Sequence, residues 1–213
     1  MAKKLSPEEE RKRVLAMYET ENEKHNQGYK YICGVDEAGR GPLAGPVYAA
    51  AVILPPDLVI PGLNDSKKLS EKRREELFDV ITGNAIAYSI ASVDEKRIDE
   101  INILNATFEA MNKAVYSLSI SPDFCLIVGN RIKNMTIPHQ TMVKGDAKSA
   151  SIAAASILAK VSRDRFIIEM SKKYPQYGFE NHKGYGTAAH NEAILKYGPC
   201  EIHRRTFLKK LLG

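Results

Sequence analysis

The spacing of apolar residues sorts the chain into segments of two periods. Leu104, Phe108, Met111, Val115 and Leu118 recur every three or four residues, the repeat of an amphipathic helix. Short β-rich runs at 31–37, 47–54, 85–93, 124–128 and 140–143 predict strands. Gly39-Arg40-Gly41-Pro42 makes a tight connection between the first two runs, and Pro55-Pro56 stops the second. A polar loop at 62–68 precedes a predicted helix over 70–82, whose apolar side is Leu77, Phe78 and Ile81. An alanine-rich helix is predicted over 148–172, and another over 187–197 that Gly198-Pro199 closes. At the N-terminus, Ser6-Pro7-Glu8-Glu9 has the capping-box pattern, and Val14, Leu15 and Tyr18 form a narrow stripe. This predicts one surface helix over 6–25.

Strands come first, then strand–helix alternation, then helices. The order predicts an α/β fold, a mixed sheet with helices on its faces and a small helical C-terminal subdomain. We expect a helical extension over 1–30, the main domain over 31–172 and the C-terminal subdomain over 173–213.

Composition narrows the class. The chain has 213 residues, 44% of them apolar, enough for an ordinary buried core. The three cysteines, Cys33, Cys125 and Cys200, are an odd set without a C-x-x-C pair. Reduced thiols are expected rather than a disulfide framework or a structural zinc site. His182, His190 and His203 match no familiar zinc spacing either. The first thirty residues are charged throughout, and no apolar run approaches the roughly 20 residues that span a bilayer. A cytoplasmic protein without a secretory leader or membrane contact is expected. The net charge of +5 is unevenly spread: residues 144–213 carry 13 Lys/Arg against 6 Asp/Glu, leaving 18 against 20 elsewhere. A basic C-terminal third fits a polyanion ligand. With no tryptophan, any stacking on bases falls to Tyr, Phe or His.

Carboxylates cluster in Val35-Asp36-Glu37-Ala38-Gly39-Arg40-Gly41 at the end of an apolar strand. Neighbours on a strand face opposite ways, so Asp36 and Glu37 share a side only if the strand bends or ends there. Such a pair either sits at a solvated loop mouth or holds a hard cation. Asp146 follows another short strand and precedes the alanine-rich helix, so it is either a ligand at a strand end or a helix-capping acid. No P-loop, nucleophile elbow or dinucleotide fingerprint is present.

The run Gly34-Val35-Asp36-Glu37-Ala38-Gly39-Arg40-Gly41-Pro42-Leu43-Ala44-Gly45-Pro46-Val47 resembles the opening signature of the ribonuclease HII family. Asn64-Asp65-Ser66-Lys67, Val143-Lys144-Gly145-Asp146, Ala153-Ala154-Ala155-Ser156-Ile157, Ala159-Lys160-Val161, His182-Lys183-Gly184-Tyr185-Gly186-Thr187 and Ile202-His203-Arg204-Arg205 continue the resemblance in order. It implies a ribonuclease-H-like fold with a mixed five-stranded sheet, and a metal-dependent endoribonuclease acting on RNA–DNA hybrids and on ribonucleotides embedded in duplex DNA. It further implies a 5′-phosphate and a 3′-hydroxyl at the cut and two Mg²⁺ or Mn²⁺ ions; a monomer working in DNA replication and repair is expected. Of four acids in the family site, Asp36, Glu37 and Asp146 match three. The fourth place, an Asp before a Gly at the end of a central strand, holds Val128. Asp123, five residues upstream on the opposite strand face, is no substitute. Gly39, Arg40, Gly41 and Tyr185 match the elements that mark the RNA–DNA junction. Lys67, Lys144, Lys148 and Lys183 are candidates for phosphate contacts. Val128 leaves two readings open, an active nuclease or a hybrid-binding member whose cleavage is impaired.

Overall fold

The computed structural model describes residues 5–213, so the first four residues of the expected extension lie outside it. Strands β1 (Ile32–Ala38), β2 (Val47–Ile53), β3 (Ala87–Val93), β4 (Phe124–Val128) and β5 (His139–Met142) form one sheet in the order β3-β2-β1-β4-β5. β1 and β3 run antiparallel to β2. β4 runs parallel to β1, and β5 parallel to β4. This is the expected mixed five-stranded sheet. β1 and β4 lie side by side at its centre, so their C-terminal ends are neighbours.

Two long helices cover the sheet. On one face Cys33, Val35, Ala49, Ala51 and Ile53 pack against Ala106, Ala110, Met111 and Ala114 of α4 (Glu95–Tyr116). On the other, Ala50 and Val52 pack against Ala153, Ala154, Ile157 and Leu158 of α5 (Ala150–Lys173), with Leu77 and Ile81 of α3 (Glu71–Asn84) behind. The period-two alternation of β1 and β2 thus feeds both faces. Gly34 marks the closest approach: a Cβ there would lie 2.1 Å from the carbonyl carbon of Ser151.

The N-terminal helix is two helices, α1 (Pro7–Ala16) and α2 (Glu19–Asn26). The capping box at Ser6 and Glu9 forms as expected. The chain turns at Met17 and Tyr18 because both are buried in the main core, and Tyr18 Oη donates to the Leu58 carbonyl at 2.8 Å. Buried Glu21 then accepts from Ser149 Oγ at 2.6 Å and from the Ser151 amide at 3.0 Å, tying α2 to the start of α5. α4 begins nine residues before the periodic stripe that predicts it. Its first turns are polar, and Asn102 interrupts it at φ 65°.

Beyond α5, α6 (Phe179–His182) and α7 (Ala188–Tyr197) enclose a smaller core of Tyr177, Phe179, Ile194, Ile202 and Leu208. That core also takes in Ala44 and Ile167, which joins the C-terminal part to the β1–β2 connection. The three cysteines are free thiols. No described helix is long and apolar enough to cross a membrane.

Candidate active site and nucleic-acid interface

The central parallel pair assembles the acids. The β1–β4 register sets Val35 beside Ile127, so one position further along Asp36 reaches the level of Val128. β1 stays extended through Ala38, and Asp36 and Glu37 therefore point to opposite faces of the sheet. Asp36 is buried on the α5 side. Glu37 opens into a small recess on the α4 side with Arg40, Leu104, Thr107, Met111 and Val128. Arg40 Nη1 lies 3.3 Å from Glu37 Oε1.

Asp146 arrives from the loop after β5. It sits in a single 3₁₀ turn, Gly145–Ala147, after Lys144 in the left-handed region at φ 56°. Ser149, not Asp146, caps α5, accepting from the Ile152 amide at 3.2 Å. The helix-capping alternative for Asp146 is therefore overturned, and its carboxylate turns toward Asp36. Burial, the Glu37 charge and the Asp146 charge push the Asp36 carboxyl well above its usual range. Asp146 is raised by burial and by the carboxylate of Asp65 beside it. Lys67 offsets part of this negative charge, with Nζ 4.0 Å from Asp146 Oδ2, as Arg40 does on the Glu37 side. The Lys67 side chain is 83% exposed, and among the described residues no three or more His, Cys, Asp or Glu side chains lie close enough together to hold a metal ion.

Val128 lies between the two sides. It lines the recess of Glu37 and also a wider one, about 440 Å³, formed with Asp65, Lys67, Lys68, Lys144 and Asp146. Its isopropyl group therefore borders both the Glu37 recess and the Asp65–Asp146 recess. Asp123 is at the far end of β4, accepting from the Lys30 and Tyr31 amides at 2.8 and 2.9 Å, where it fastens the chain entering β1. A roomier hollow of about 760 Å³ on the outer face of α4, lined by Ile101, Phe108 and Tyr116, contains none of these acids.

Beside the acids, the Gly39-Arg40-Gly41 connection and Tyr185 meet. A Cβ at Gly41 would lie 3.5 Å from Tyr185 Cε1, so the ring rests against the glycine backbone, 46% exposed. Gly39 has φ +98°, and a Cβ there would fall 2.2 Å from Arg163 Nε; only glycine fits. Lys144 is exposed at the rim of the wider recess, and Lys148 is exposed in a neighbouring hollow with Met17, Glu19 and Thr20. Lys183 is more confined: its Nζ donates to the Glu180 carbonyl at 2.7 Å and lies 4.0 Å from Glu71.

Three participants carry no signal in a strand or helix pattern. Asp65, in a polar loop, reaches the site because its carboxylate caps the next turn by accepting from the Lys67 amide at 2.9 Å. Arg163 and Arg204 are buried charges beneath the connection. Burial, together with the like charge of Arg163, pulls the Arg204 guanidinium down to about 9. Both lie within or beside runs that resemble the family, but apolar patterning gives no hint of a buried arginine.

Comparison with known proteins agrees with this fold. The Ribonuclease HII family model matches residues 33–210. A Ribonuclease HII of Caldicellulosiruptor bescii is 60% identical over 196 residues, covering 92% of this chain and 95% of the relative. The crystal structure of ribonuclease H2 from Pyrococcus horikoshii superimposes with a TM-score of 0.71 at 30% identity, over 85% of this chain and 97% of that one. Bst-RNase HIII in complex with Mn²⁺ shares the fold at a TM-score of 0.58 and 17% identity, over 79% of this chain and 63% of the other. The chain belongs to the ribonuclease HII family and is a type II ribonuclease H, a hydrolase.

Proposed function

We propose that this chain hydrolyses the RNA strand of RNA–DNA hybrids, and duplex DNA at embedded ribonucleotides, leaving a 5′-phosphate and a 3′-hydroxyl. The observation that carries the reading is the meeting of Asp36, Asp146 and Lys67 beside the Gly41–Tyr185 contact. Carboxylates that repel one another and are offset in part by an exposed ammonium fit a divalent cation. Asp36 and Asp146, with Asp65 adjoining, would hold one Mg²⁺ or Mn²⁺. Glu37 would face a second whose remaining ligand place is filled by Val128. When bound, such a pair supplies positive charge to the attacking and leaving oxygens of a phosphodiester. The Mn²⁺ in Bst-RNase HIII, a protein of the same fold, supports this choice of ion.

The chain's own groups do the rest. Backbone N–H and C=O groups of Gly39, Arg40 and Gly41 approach the sugar closely because no Cβ intervenes, and the 2′-hydroxyl can both donate to and accept from them. Tyr185 gives the neighbouring sugar or base a flat surface. Lys67, Lys144, Lys148 and Lys183 meet backbone phosphates. We place this work in DNA replication and repair in the cytoplasm, by a monomer with no membrane contact.

Val128 favours a second reading, in which the duplex is bound with little cutting. Incubating the purified protein with a duplex carrying one ribonucleotide, in Mg²⁺ and separately in Mn²⁺, decides between them. Slow cleavage at the ribonucleotide, faster in Mn²⁺, is the expected result. Preferential binding of that duplex without cleavage in either ion would establish the second reading, and equal binding to an all-DNA duplex would refute both.

A further inference from the structure

Residues Ile202 to Arg204 touch both halves of the surface assigned above to ribose recognition. Arg204 is fully buried, yet its guanidinium donates to the carbonyls of Gly39 at 2.6 Å, Arg40 at 3.0 Å, Pro42 at 2.8 Å and Gly45 at 2.9 Å. These carbonyls span the whole Gly-Arg-Gly connection, which makes no regular ladder of its own. Backbone bonds reinforce the grip: the Arg204 amide donates to Leu43 O at 2.9 Å, and the Gly45 amide to Ile202 O at 2.8 Å. Five donors in a planar fork can satisfy several diverging carbonyls at once, which a lysine cannot do.

The preceding residue reaches Tyr185. The Cys200 amide donates to His203 Nδ1 at 2.9 Å, so Nδ1 is an acceptor and Nε2 of that ring carries the hydrogen. His203 Nε2 then donates to His190 Nε2 at 3.0 Å. That leaves the hydrogen of His190 on Nδ1, which donates to the Tyr185 carbonyl at 2.9 Å. Burial holds both imidazoles down to about 4, so the single tautomer chain persists at neutral pH. The His182 ring stacks on His190 at 4.4 Å between centroids, and its Nδ1 accepts from the Gly184 amide at 3.2 Å.

Arg163 completes the frame. Its Nη2 donates to Ala44 O at 3.2 Å and to Lys183 O at 3.1 Å, bridging the same two segments, and its guanidinium lies 5.9 Å from the Tyr185 ring centroid. Nε and Nη1 are buried without a partner. Neither Arg163 nor Arg204 has a carboxylate within 4.0 Å among the described residues, so positive charge is held directly beneath the glycine connection. A hydrophobic core would not accept two such charges for packing alone.

We infer that His203 and Arg204, with Arg163, are positioning residues for ribose recognition: they fix the Gly39–Gly45 backbone and Tyr185 at one mutual spacing, so that both meet the same ribonucleotide. The inference rests on the reading of Gly39–Gly41 and Tyr185 given above. It predicts that altering residues out of reach of the duplex will erode the preference for ribose.

The test is binding, with metal withheld by EDTA so that nothing is cut. The full chain is titrated with labelled duplexes that differ only in one embedded ribonucleotide, at one salt concentration, and the ratio of the two affinities is read. Tyr185→Ala calibrates the surface, Arg204→Lys keeps the charge and loses the fork, His203→Phe breaks the imidazole chain, and Arg204→Gly opens a hole for added methylguanidine. We expect Arg204→Lys and His203→Phe each to lower the ratio about tenfold, the scale of one buried polar group left unpaired. Methylguanidine should restore the ratio in Arg204→Gly and do nothing for Tyr185→Ala. If Tyr185→Ala leaves the ratio unchanged, the ribose-reading surface itself is misplaced and the inference falls with it. If Tyr185→Ala collapses the ratio while Arg204→Lys and His203→Phe retain it, the inference alone is overturned. A fall in thermal stability with equal loss of both duplexes would make these residues merely structural, which also overturns it.

Discussion

Val128 carries the sharpest consequence of any single residue. It lines the recesses of both Glu37 and Asp146, where, on the function proposed above, a carboxylate would complete the set of four. A branched apolar side chain suits a strand and cannot donate to a cation. It also spares the site a further like charge, in a cluster where Asp36 is already pushed up by burial and by Glu37 and Asp146. Stability in the absence of metal and turnover in its presence should therefore move in opposite directions. Val128→Asp is expected to raise the rate of cleavage by about 10²–10³, the effect of restoring one electrostatic group at a reacting centre. The same substitution should lower the metal-free Tm slightly, and added Mn²⁺ should reverse that loss. Asp65 does not make the change redundant, because it adjoins Asp146 rather than Glu37. Cleavage assays on the two proteins, side by side in Mn²⁺, check this. Equal rates would mean that the place of the fourth ligand is not at position 128.

At the scale of elements, the site depends on how closely β1 and α5 approach. The alanine run of α5 and Gly34 of β1 together let the helix lie almost on the strand, with a Cβ at Gly34 landing 2.1 Å from backbone. Backbone cannot step aside as a flexible side chain would. Gly34→Ala should cost about 3 kcal/mol, the upper end of ordinary overpacking. In a chain of this size that lowers Tm by roughly 6–12 °C. Because Asp36 lies two residues on, cleavage should fall further than the loss of folded protein explains. A thermal melt within 2 °C or so of the parent would show that β1 has room the geometry denies it. This contact also shows why some of the molecule can be inferred from patterning and some cannot. β2, β4 and α5 each have a run of apolar or small residues that ends at a polar or proline signal, and each lies within two residues of its expected bounds. The break between α1 and α2 has no glycine or proline to mark it; it comes from Met17 and Tyr18 turning into a core contributed by distant residues. The same holds for the site. Asp36 and Glu37 stand out as a pair, but their meeting with Asp146 follows from the strand order that puts β4 beside β1. Asp65, Arg163 and Arg204 are brought in by hydrogen bonds to backbone, which no periodicity encodes.

For the whole molecule, the issue is which of its charges face a polyanion. The C-terminal third has a surplus of basic residues, yet the folded chain buries some of them and pairs others with acids. Arg163 and Arg204 are buried, Lys160 pairs with Asp164 at 2.6 Å, Lys172 with Glu169 at 3.0 Å, and Lys173 with Glu201 at 3.0 Å. Arg165 is engaged by Glu75. The cations left beside Asp65 and Asp146 are Lys67, Lys68 and Lys144, all exposed. Duplex binding should therefore weaken with salt because these few lysines displace counterions, not because of the net charge. Each phosphate contact contributes about −0.9 to the slope of log K against log salt. Lys144→Ala should flatten the slope by about one unit. Lys183→Ala should flatten it less, since its ammonium already donates to Glu180 O. Lys172→Ala, which alters the net charge by the same amount but lies in a surface ion pair with Glu169, should leave the slope unchanged. Titrations of a ribonucleotide-containing duplex between about 50 and 200 mM salt resolve a difference of one unit. If Lys172→Ala and Lys144→Ala flatten the slope equally, the duplex is held by the overall field of the molecule, and the track of lysines beside the acids is not its path.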